Sequence, residues 1–94
     1  MASKLEEARK IINEVDRQMV ELFIKRMRAA ELVYEYKRDM GLPILDPARE
    51  DAVIEQNAAL VEDEVLRGYY MDYQKHLMGV SRAYQYRKIG RAHV

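Results

Sequence analysis

The chain has 94 residues, 16 Lys and Arg against 16 Asp and Glu, and no Cys, which is enough for one domain with a modest core and too little for two. Zero net charge leaves no overall field to draw nucleic acid or an anionic membrane, so any anion must be held by cations placed locally. Without Cys there is no disulfide or thiolate chemistry, and the two His (His76 and His93) are too few and too scattered for a metal cluster.

The opening MASKLEEARK lacks an apolar signal region, and no stretch reaches the roughly 18 apolar residues of a membrane span, so a cytoplasmic protein is expected. With only four Gly and two Pro, both Pro within GLPILDP (41–47), the pattern predicts an all-α chain of long helices over residues 1–94. From Leu5 onward, Ala8, Ile12, Val15, Met19, Leu22, Ala29, Val33, Tyr36 and Met40 recur at helical spacing, which predicts a first helix over about 4–40 with one apolar stripe. Ser3 suits its N-cap, Gly41 its C-terminus, and Pro43 forbids simple continuation.

Asp46 and Pro47 restart the chain, an N-cap followed by Pro at the first helical position, so a second helix is expected over about 47–61, carrying Val53, Ile54, Asn57 and Leu60. The acidic run Glu62-Asp63-Glu64 closes that helix and opens a third, over about 64–88, with Val65, Leu66, Tyr69, Tyr70, Tyr73, Leu77, Val80 and Tyr84. The final GRAHV has no pattern and is assigned no element.

A first helix of this length would be about 55 Å long at 1.5 Å per residue, whereas a compact chain of this size has a radius of gyration of only ~12 Å. Two shorter helices cannot cover its stripe, so a second copy of the chain is expected to do so, in an intertwined six-helix homodimer.

Two cations interrupt the apolar stripe. Arg26 stands where Met19, Leu22, Ala29 and Val33 call for a core residue, and Lys37 lies one turn beyond Val33. A buried unpaired charge costs several kcal/mol, so each must find a carboxylate, a ligand anion or solvent; taken alone, snorkelling or an internal ion pair is the commoner outcome. Eleven residues apart, the two differ by only ~20° around the helix and face one pocket about 16 Å end to end. Arg9 is about 25 Å and roughly 100° away from Arg26. It cannot reach that pocket within one chain but could do so from an antiparallel partner, a solvated surface Arg being its default reading.

Asp46 and Glu50, and likewise Ser81 and Gln85, are polar pairs four residues apart on one helix face. The capping-box position is Arg49, which leaves Glu50 uncommitted to capping. On periodicity alone each pair is a solvated or structural feature. The Tyr run (Tyr69, Tyr70, Tyr73, Tyr84, Tyr86) suits core and interface packing better than base stacking, because the surrounding charge is balanced.

In order and spacing, the segments RKIINEVD (9–16), LFIKRM (22–27), VYEYK (33–37), GLPILDPARE (41–50) and SRAYQ (81–85) together resemble the all-helical class of chorismate mutases. The resemblance implies a Claisen rearrangement of chorismate to prephenate, in the biosynthesis of Phe and Tyr, with no cofactor, no metal and no covalent intermediate. It implies that Arg26 and, in trans, Arg9 bind the two substrate carboxylates and that Lys37 and Gln85 donate to the ether oxygen. Asp46 and Glu50 would orient the ring hydroxyl, and Arg49 and Ser81 would complete the lining. A neutral amide at Gln85 can donate at neutral pH, where a Glu would first need a proton.

Two other readings compete. An isochorismate-pyruvate lyase uses the same scaffold, but Asp46 and Glu50 beside Ser81 favour the mutase. A non-catalytic helical dimerisation or regulatory module would leave Arg26 and Lys37 unexplained.

Overall fold

The computed structural model describes residues 3–92. It consists of α1 (Lys4–Met40), α2 (Pro47–Ala58) and α3 (Glu64–Ala92), with no strand among the described residues. Ser3 Oγ accepts the Glu6 N–H at 3.1 Å and starts α1. Gly41 ends it at φ 67°, a left-handed conformation that costs a glycine nothing. There the Leu42 N–H reaches Lys37 O (2.8 Å) and the Gly41 N–H reaches Arg38 O (3.3 Å), the paired bonds of a Schellman terminus.

Asp46 caps α2 by accepting the Arg49 N–H at 3.1 Å, with Pro47 at the first helical position. The helix stops at Ala58 rather than near 61: Leu60 and Val61 donate to Asn57 O and Ala58 O, three residues back, so the last turn tightens and closes. Asp63 then caps α3 through the N–H groups of Val65 and Leu66, and Arg67 ties the turn by donating to Val61 O and Glu62 O. The third helix runs to Ala92, past the expected end near 88; His93 and Val94 lie outside the described residues.

α2 and α3 form an antiparallel hairpin: Ala58 lines one surface with Arg67 and Met71, while Glu50 pairs with Arg82 at the other end. α3 also packs on the C-terminal half of α1, with residue numbers rising together: Arg26 meets Met78, and Glu31 meets Tyr84 and Lys88. The core is small, comprising Met27, Ala30 and Tyr34 of α1, Ile44 of the connection, Ile54 and Ala58 of α2, and Met78 of α3.

The apolar stripe read from the sequence is not the face that the chain buries on itself. Leu5, Ile12, Val15, Met19, Leu22, Val33, Tyr36 and Met40 are all exposed, Leu22 by 63%. At about 100° per residue, Met27, Ala30 and Tyr34 lie to one side of that stripe, and α3 takes that side only. Of the Tyr run, Tyr70 and Tyr84 are half-buried, whereas Tyr69, Tyr73 and Tyr86 are exposed and contribute nothing to the core of a single chain. The chain measures 58 × 30 × 15 Å with a radius of gyration of 17.0 Å, against ~12 Å for a compact chain of this length.

Candidate active site

The buried stripe of α3 is mostly polar. Gln74, Met78, Ser81 and Gln85 recur at spacings of four, three and four, and all are buried. Gln85, only 6% exposed, donates its amide N–H to Ser81 O at 3.4 Å, one turn back. Gln74 donates to Tyr70 Oη at 3.0 Å. The side-chain carbonyl oxygens of both glutamines are buried without a donor. Such groups cost on the order of 1–3 kcal/mol each when no donor reaches them.

α1 brings Arg26 to that stripe and Lys37 to the connection that follows the helix. Arg26 is half-buried, its guanidinium 3.6 Å from Met78 Sδ, a weak acceptor that leaves most of its donors unspent. Lys37 is half-buried as well and donates to Ile44 O at 2.6 Å, leaving two further N–H groups on the ammonium. Both stand at the boundary between the face that packs on α3 and the apolar stripe left open. From Arg26 toward the N-terminus an open groove continues, lined by Asp16, Met19, Val20, Leu22, Phe23, Tyr73 and Leu77.

The α2 residues arrive less uniformly. Glu50 is free of capping, as expected, yet it is not uncommitted: its carboxylate pairs with Arg82 of α3, both side chains being under a third exposed. Asp46 spends one carboxylate oxygen on the N-cap and keeps the other. The Arg49 side chain is exposed. These contacts define a three-helix junction: Arg26 meets α3 at Met78, one turn before Ser81, Glu50 meets it at Arg82, between Ser81 and Gln85, and Lys37 holds the connection after α1 at Ile44, two residues before Asp46. Arg9 lies on the second turn of α1, exposed and far from all of them.

Sequence reading missed Arg82 and Gln74. Arg82 is adjacent to Ser81 and within one turn of Gln85, and Gln74 continues the Ser81–Gln85 face two turns upstream; that shared face was the available signal. No group of three or more His, Asp or Glu able to hold a metal is present among the described residues, and no described helix is long and apolar enough to cross a membrane.

Residues 8–86 match the family described as chorismate mutase type II, a span that contains every residue of the junction and Arg9. The chain belongs to that family. It is also 36% identical over 63 residues to a chorismate mutase of Methanocaldococcus jannaschii, an alignment that covers 67% of this chain and 64% of the relative. The chain therefore spans a little under two thirds of that curated protein's length. No solved structure matches it.

Proposed function

We propose that this chain is a chorismate mutase that acts in the cytoplasm as an antiparallel homodimer, with Arg9 of each chain completing the site of the other. The observation that carries the reading is the buried polar face of Ser81 and Gln85 together with two half-buried cations of α1: Arg26, which meets that face at Met78, and Lys37. Cations and neutral donors so placed suit a small dianion. The exposed apolar stripe of α1 and the open groove beside Arg26 support the dimer, because a second α1 laid antiparallel would cover both. It would also bring Arg9 of the partner toward Arg26.

In this reading Arg26 and the partner's Arg9 each take a substrate carboxylate, which restrains the flexible enolpyruvyl side chain over the ring in a chair-like conformer. Lys37 and Gln85 donate to the ether oxygen. As the ether C–O bond breaks and the new C–C bond forms in one pericyclic step, negative charge grows on that oxygen, and these donors are stronger partners for the transition state than for the ground state. No proton is transferred. Glu50, with Asp46, holds the ring hydroxyl, and Arg49 and Ser81 complete the lining.

The test is to follow chorismate loss and prephenate formation with and without EDTA, with isochorismate assayed in parallel. Prephenate formation unaffected by chelator is expected. Pyruvate from isochorismate with no prephenate from chorismate would overturn the reading in favour of a lyase on the same scaffold.

A further inference from the structure

Gln85 reaches the junction from α3, and the rotation of α3 about its own axis decides where its amide points. A helix with its side chains has a radius of about 5–6 Å, so a rotation of roughly 10° moves a side-chain tip by about 1 Å. Displacements of that size change rates by up to about a hundredfold in sites that work by orientation.

Two carboxylates from other helices grip α3 on either flank of Gln85. On the α1 side, Glu31 Oε1 accepts from Tyr84 Oη at 2.5 Å and from Arg28 Nη1 at 2.6 Å, with Lys88 Nζ at 3.7 Å. Arg28 Nη1 also lies 3.4 Å from Tyr84 Oη, and Lys88 Nζ stands 5.2 Å from the Tyr84 ring centroid. On the α2 side, Glu50 pairs with Arg82. Tyr84 projects about 100° to one side of Gln85 and Arg82 about 60° to the other.

We propose that Tyr84, held by Glu31, is a positioning residue for the Gln85 amide, fixing the rotation of α3 from outside the pocket. The proposal rests on the mutase reading for its catalytic consequence. Among the described residues no hydrogen bond or ion pair runs from the Glu31 cluster to Gln85; its leverage comes from Tyr84 and Gln85 being consecutive on one helical turn.

The experiment is a double-mutant cycle with a spectroscopic arm. Tyr84→Phe keeps the ring and removes only the hydroxyl that Glu31 holds. It is expected to lower kcat about tenfold with KM within about twofold, while in a Gln85→Ala background the same change is expected to alter kcat by less than about twofold. Glu31→Gln, which keeps an acceptor for Tyr84, should recover most of the loss seen in Glu31→Ala. In 15N-labelled protein the Gln85 side-chain amide signal should shift or broaden in Tyr84→Phe while that of Gln74 stays in place. Equal losses of kcat in both backgrounds, or an unmoved Gln85 signal, would overturn the proposal. A parent protein that makes no prephenate would sink the mutase reading alone, because the Gln85 signal still decides the positioning role.

Discussion

The substitution Gln85→Glu puts the electrostatics of the junction to a quantitative test. Gln85 is only 6% exposed and its amide N–H points at Ser81 O, 3.4 Å away. A carboxylate in its place would be stripped of water and would face a carbonyl oxygen, and both effects favour the neutral acid, pushing its pKa above the ordinary carboxylate range. Only the protonated acid can donate to the ether oxygen. Above its pKa the protonated fraction falls about tenfold per pH unit, so kcat/KM should be well below the parental value near pH 8. It should then recover about tenfold per pH unit on acidification and level off once the acid is protonated. Initial rates of chorismate loss between pH 5 and 8.5, with circular dichroism at each pH to establish folding, would measure this. A loss independent of pH would refute the claim that Gln85 acts as a hydrogen-bond donor.

If Arg9 acts in trans, mixing Arg9→Ala and Arg26→Ala proteins, each inactive alone, and allowing subunit exchange should restore up to about a quarter of the parental activity: half the dimers are mixed and each has one intact site. No recovery despite exchange would place Arg9 outside the site. Arg82→Ala should lower stability by about 1.5–3 kcal/mol, because it leaves the part-buried Glu50 carboxylate without its charged partner. It should also raise KM for chorismate; urea titration and steady-state rates read the two effects separately. The Tyr84 hydroxyl and then Arg28 hold the Glu31 carboxyl below its ordinary value near 4.5. The stability this adds is present at neutral pH and is lost as the pH falls below about 4.5 through the folded-state value. The urea midpoint of the parent should therefore drop on acidification in that range more steeply than that of Glu31→Gln.

The helix boundaries at residues 40 to 47 were legible because each is marked by a residue with one conformational job: Gly41 at positive φ, Pro43 as a block, and Asp46 with Pro47 as cap and first residue. The end of α2 was not, because Ala59 continues in right-handed geometry and the turn closes through backbone bonds that carry no compositional mark. Periodicity located the apolar stripe of α1, yet the face packed on α3 (Met27, Ala30, Tyr34) is shifted around the helix and is smaller. A pattern of apolar residues says that a face must be covered and not by what. The inward cations were legible as interruptions of that pattern. Neither ion pair was read from the sequence: Arg28–Glu31 is a local i, i+3 pair whose spacing could have shown it, but Glu50 and Arg82 lie on different helices, and only the hairpin brings them together.

The bond from Lys37 to Ile44 O has a bearing on engineering. It turns the short connection after α1 into part of the fixture that aims the lysine, since the same few residues both cap the helix and hold the ammonium. Insertions, cleavage sites or new termini placed between Gly41 and Leu45 should therefore disarm the junction even where the helices survive. The exposed turn around Ala59 and Leu60, remote from Lys37 and Gln85, is the better place to open the chain or to graft onto it.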